Sequence, residues 1–123
     1  MINKFDSYLK TLCETPLDEH TEHTGRAALQ SLLKVFANGT AIQHEPKRAA
    51  GGAPDFKVTR AGAILGYVEV KAVGADLDKV LKSEQIKRYK DLSGNLIVTN
   101  YLDFIWIDGD FVQRATLLTP LEL

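Results

Sequence analysis

The stretch from Ala53 to Ala72 constrains this chain more than any other. It reads as two short strands, rich in β-branched and aromatic residues, joined by a turn at Ala61-Gly62. Asp55 stands at the start of the first strand. Glu69 and Lys71 stand two apart near the end of the second, so strand alternation points them to one face. Leu65 and Tyr67 share that face, while Val68, Val70 and Ala72 take the other. Both faces are therefore largely apolar, the pattern of a central strand. An acid and an amine in such a strand are costly unless they pair or bind something.

The 123 residues are one domain's worth, so residues 1–123 are expected to form a single domain. A formal net charge of −1 does not announce a nucleic-acid binder, whose domain is usually basic. The single cysteine, Cys13, cannot form an internal disulfide and points to a reducing, cytoplasmic setting. It is expected to be a small buried side chain on the first helix. No apolar run approaches the ~18 residues of a membrane span, and the N-terminus lacks a signal-peptide pattern. The expectation is a soluble intracellular domain.

Ile2, Phe5, Leu9 and Leu12 recur at helical spacing and predict a short opening helix, which Thr15-Pro16 breaks. A second helix is expected from about Thr21 to Ala37, with Leu29, Leu32, Leu33 and Phe36 as its buried stripe. At about 100° per residue, Glu22 falls within roughly 30° of the stripe's centre, and Glu19 nearer 90° away. Glu22 is thus an acid on the core-facing side, unless the helix end is exposed there and the carboxylate serves the N-terminal dipole. Glu19 takes its place if the helix begins elsewhere. His20 and His23 read as capping or solvated residues, since no second cluster completes a zinc site.

A strand is expected over Thr40 to Glu45, followed by a loop carrying Lys47 and Arg48. After the strand pair, Asp76 or Asp78 can cap a helix that continues through Leu92, with an interruption near Ser83. Leu81, Gln85, Arg88, Tyr89 and Leu92 cluster on one side of it, and Gln85 stacks on Tyr89 four residues on. Asn95 to Thr99 is a further strand. Phe104 to Ile107 and Phe111 to Leu117 form a hairpin across Asp108-Gly109-Asp110. The order α-α-β-β-β-α-β-β-β defines an α/β or α+β domain with a mixed sheet.

If Asp55, Glu69 and Lys71 converge, two carboxylates make a hard oxygen site suited to Mg²⁺, with Mn²⁺ a natural substitute. The carbonyl of Val70 is a candidate further ligand, and Glu22 could reach a second metal or the attacking water. Lys71 beside the metal would hold or help deprotonate that water. Gln85 and Tyr89 would orient Lys71, the water or a phosphate. The chemistry is metal-assisted phosphodiester hydrolysis. Lys47, Arg48, Lys57 and Arg60 are candidate contacts to a DNA backbone, or else solvated surface charges.

Pro54-Asp55, Tyr67-Val-Glu-Val-Lys71 and Gln85-Ile-Lys-Arg-Tyr89 resemble the PD-(D/E)xK nuclease superfamily. The resemblance is closer to the nuclease domain that begins the type ISP restriction-modification enzymes. It rests on Glu22-His-Thr-Gly-Arg-Ala-Ala-Leu29, His44-Glu-Pro-Lys-Arg48, Gly52-Ala-Pro-Asp-Phe56, Gly66-Tyr-Val-Glu-Val-Lys71, Gln85-Ile-Lys-Arg-Tyr89 and the run from Asn95 to Phe104.

This likeness implies a restriction-endonuclease-like αβββαβ core with a mixed central sheet flanked by helices. It implies metal ligands at Asp55 and Glu69, a catalytic lysine at Lys71, a helix glutamate at Glu22 and supporting residues at Gln85 and Tyr89. In that family the module precedes a translocase, a DNA methyltransferase and a target-recognition domain. No Walker-type or methyltransferase motif is present, so the chain reads as an excised N-terminal domain whose substrate is double-stranded DNA. The alternatives are a free-standing nuclease such as a Holliday-junction resolvase, and a non-catalytic domain that binds DNA ends or a partner.

Overall fold

The computed structural model describes residues 4–21, 24–36, 39–44, 54–92 and 94–117. Helix α1 (Lys4–Leu12) is followed by a single 3-10 turn at Leu17–Glu19 and by helix α2 (Arg26–Phe36). Three strands come next: β1 (Ala41–His44), β2 (Phe56–Arg60) and β3 (Ala63–Val70). Helices α3 (Leu77–Leu81) and α4 (Glu84–Leu92) lead to β4 (Asn95–Thr99), β5 (Asp103–Asp108) and β6 (Phe111–Thr116).

The strands form one mixed sheet in the order β1-β2-β3-β4-β5-β6. Among the described strands only β3 and β4 run parallel; every other neighbouring pair is antiparallel. The α3–α4 segment is the crossover that a parallel pair requires. Positive φ at Ala61 (51°) and Gly62 (84°) gives β2 and β3 the two-residue turn whose twist suits a hairpin.

The sheet separates two apolar clusters. On one side Tyr8, Leu12, Leu29 and Leu32 of α1 and α2 pack on Phe56, Val68 and Val70. On the other, Leu77, Ile86 and Tyr89 of α3 and α4 pack on Leu96, Val98, Ile105 and Ile107. Alternation along β3 assigns Val68 and Val70 to the first core and Tyr67 to the second. Tyr101, a fully buried residue at φ 78° in the β4–β5 turn, belongs to the first core. Its carbonyl accepts the Tyr8 hydroxyl at 2.8 Å, and its amide donates to Thr99 Oγ1 at 3.0 Å. Burial pushes the Tyr8 hydroxyl well above its ordinary value, so it remains a donor.

Several expectations need correction. Helix α2 starts at Arg26 rather than near Thr21, because Thr24 folds back on Thr21 and the Gly25 carbonyl accepts the first helical bond, from Leu29, at 3.0 Å. Cys13 is exposed, since α1 ends one residue before it. The expected interruption near Ser83 is present, with Ser83 Oγ accepting the Ile86 amide at 3.3 Å as α4 begins. That restart changes the buried face: Ile86 is fully buried, while Leu92 is 55% exposed and Arg88 faces solvent. The first half of β3 is also exposed, because β4 pairs with it only from Tyr67 onward. His20 caps as expected, its Nε2 lying 2.9 Å from the carbonyls of both Leu12 and Thr15.

Candidate active site

The site gathers at the C-terminal end of β3, where elements from both layers meet. Asp55 lies just before β2, and antiparallel pairing of Phe56 with Val68 brings it beside the end of β3. Its carboxylate is buried. Oδ2 accepts the Val70 amide at 2.8 Å, so this side chain is tied to the strand that carries Glu69. Glu69 is 3% exposed and hydrogen-bonded to Asp55.

Lys71 follows β3 directly, with its amide on the Thr99 carbonyl at 2.7 Å, which continues the parallel pairing by one bond. Its Nζ lies 3.1 Å from Glu69 Oε2 and donates to Gln85 Oε1 at 2.8 Å. Gln85 Nε2 in turn donates to the Tyr89 hydroxyl at 3.2 Å, one helical turn along α4. Tyr89 is 1% exposed, so the chain of contacts from Lys71 ends on an immobile phenol packed in the second core.

Of the residues singled out in the sequence, Asp55, Glu69, Val70, Lys71, Gln85 and Tyr89 are therefore brought together. Glu22, Lys47 and Arg48 lie outside the described residues, as does His23. Glu19 is exposed in the 3-10 turn. Lys57 is half-buried on β2, two residues from Asp55 and on the same side of the strand by alternation. Arg60 is exposed at the hairpin end of β2, five residues and roughly 16 Å from Asp55.

One participant was given no role from the sequence. Arg26, at the first position of α2, reaches across from the other layer and places its Nη2 on Asp55 Oδ1. Its side chain keeps 21% exposure, and its Nε is buried with no hydrogen-bond partner among the described residues. Gly25 permits this approach. A Cβ there would lie 2.6 Å from Leu12 Cδ1 and 2.8 Å from the Tyr101 ring.

Electrostatically each carboxylate of the pair faces one cation, Asp55 facing Arg26 and Glu69 facing Lys71. Burial, followed by contact with Asp55, pushes Glu69 up to about 8 against the opposing pull of Lys71. Glu69 is thereby held toward its protonated form. Two adjacent buried carboxylates are a hard oxygen donor set that a divalent cation fits. Among the described residues no third His, Cys, Asp or Glu joins them. That suits an ion that keeps several waters better than one needing a full protein cage. A cavity of about 440 Å³ between α1 and α2, lined by Tyr8, Thr11, Ala28, Ser31 and Leu32, is apart from this cluster.

Neither a family model nor a curated protein sequence matches the chain. Among solved structures, a cryo-electron microscopy structure of a DrdV–DNA complex superposes with a TM-score of 0.73 at 24% identity. The match covers 93% of this chain and 12% of that one. The fold is restriction-endonuclease-like, an αβββαβ core with a mixed central sheet flanked by helices.

Proposed function

We propose that this chain is a Mg²⁺-dependent DNA endonuclease module, the cleavage part of a type ISP, ATP-dependent translocating restriction-modification enzyme. The observation that carries the reading is the convergence of Asp55, Glu69, Lys71 and Gln85 at the end of β3, with the two acids buried together. The DNA in the DrdV complex supports the substrate class, and the 12% coverage of that chain agrees with a module belonging to something larger. Exposed Leu65 and Trp106, which line one cavity of about 200 Å³ with Val58 and Ile97, are the kind of surface such a module turns toward neighbouring domains.

In this reading Asp55 and Glu69, with the Val70 carbonyl and Glu22, would hold the metal. When bound, the ion would supply positive charge opposite the scissile phosphate and the developing negative charge. Lys71 Nζ donates to the attacking water and fixes its direction, while Glu69 and Gln85 fix Lys71. The Tyr89 hydroxyl keeps Gln85 in the orientation that presents Oε1 to the ammonium. Lys57, Lys47, Arg48 and Arg60 contact backbone phosphates, which positions the duplex without reading its bases.

Nicking of supercoiled plasmid with Mn²⁺ and with Mg²⁺ tests this, comparing the chain with Asp55→Ala and Lys71→Ala. Each substitution is expected to lower the rate by at least about a hundredfold. Nicking that survives both substitutions would overturn the assignment of this site. No nicking by any form at high protein concentration in either metal would leave a module that needs further domains to hold DNA or a non-catalytic binder.

A further inference from the structure

The Arg26–Asp55 ion pair engages a carboxylate that the proposed chemistry assigns to a metal ion. Both oxygens of Asp55 are engaged, Oδ2 by the Val70 amide at 2.8 Å and Oδ1 by Arg26 Nη2. Glu69 is hydrogen-bonded to the same carboxylate. A divalent ion approaching Asp55 therefore meets a cation already seated there, and two cations on one buried carboxylate repel strongly at low dielectric.

The seat is a weak one. Arg26 makes the contact through Nη2, and its Nε–H is buried without an acceptor among the described residues. It lacks the two parallel bonds that make an arginine–carboxylate pair strong. Its side chain is also 21% exposed, at the start of α2, so a long flexible stem has an outward path.

We infer that Arg26 is a resident counter-cation of Asp55 that competes with the divalent ion, so that metal loading requires the guanidinium to leave the carboxylate. This rests on the metal-nuclease reading above. Competition of this kind weakens the apparent metal affinity by the fraction of molecules in which the carboxylate is free. Arg26 is then a positioning residue for Asp55: it keeps the acid compensated until the metal arrives, and it is not a ligand.

Calorimetric titration of Mn²⁺ into the wild-type chain, Arg26→Gln, Arg26→Lys and Asp55→Asn tests the inference. Arg26→Gln is expected to bind Mn²⁺ at least about tenfold more tightly than wild type. Arg26→Lys, which keeps the charge, should stay close to wild type, and Asp55→Asn should lose binding. A residue with a merely structural role would not produce tighter binding that the lysine form reverses. Equal or weaker binding by Arg26→Gln, with wild-type binding still dependent on Asp55, overturns the competition and leaves the nuclease reading standing. Absence of Mn²⁺ binding in every form overturns both. If circular dichroism shows Arg26→Gln unfolded, Arg26→Met keeps the aliphatic stem and carries the same expectation.

Discussion

A carboxylate in the buried half of a strand must be compensated, and Glu69 has Lys71 beside it and a raised affinity for its proton. Its folded value of about 8 lies above the ordinary 4.5, owing first to burial and then to Asp55. Between these values the folded protein holds a proton that the unfolded chain has released, so stability falls as pH rises. The contribution is fully present below about 4.5 and lost as pH passes through about 8. Thermal unfolding in chelator should therefore show a midpoint that declines across this window. Glu69→Gln, neutral at every pH, should flatten the decline, and saturating Mn²⁺ should reduce it in the wild type. A slope that Glu69→Gln leaves unchanged would contradict this account. The pairing of Glu69 with Lys71 was legible because strand alternation is rigid, and that of Gln85 with Tyr89 because residues four apart on a helix stack. Arg26 was not legible as a partner of Asp55. The two are 29 residues apart and meet across layers, where no periodicity links them.

At the scale of elements, punctuation decided what periodicity could not. The apolar spacing of Leu29, Leu32 and Leu33 fits a helix that begins near Thr21, yet α2 begins at Arg26. The Thr21 amide on Thr24 Oγ1 at 2.8 Å, followed by Gly25, forms the turn that starts the helix late. Glycine is required there by close approach, since Leu12 and Tyr101 fill the space a Cβ would need. Gly25→Ala should accordingly destabilise the fold by about 1–3 kcal/mol, as overpacking does elsewhere. An unchanged midpoint in urea unfolding would show that α2 can shift away without cost. Ser83 acts in the same way on α4. A continuous helix would carry Leu81, Gln85, Arg88, Tyr89 and Leu92 on one stripe; with the restart at Ser83, Ile86 joins Tyr89 as buried and Leu92 is left exposed. The β2–β3 hairpin was legible for the opposite reason, because Ala61-Gly62 is a strong turn signal between two β-branched runs.

At the scale of the molecule, the site lies on the seam between two cores that share one sheet. Arg26 enters from the α1–α2 layer and Gln85 from the α3–α4 layer, and both converge on side chains at the end of β3. Geometry at such a seam holds only if both cores are intact at once. The six strands belong to one sheet, so loss of either core removes the support of that sheet, and the two should unfold as one cooperative unit. Ile42→Val in the first core and Ile86→Val in the second probe this, since both side chains are buried and sit in different clusters. Each should cost about 0.5–1.5 kcal/mol by removing one methyl group. Because no packing partner is shared, the double variant should show their sum to within about 0.5 kcal/mol. Circular dichroism and Trp106 fluorescence, followed together through urea unfolding, should give the same midpoint for all four proteins. Separate midpoints for the two probes, or a double variant far from additive, would mean that the layers unfold independently or are coupled through the sheet more directly than their contacts show. In the first of these cases the site could be dismantled from one side while the other remained folded.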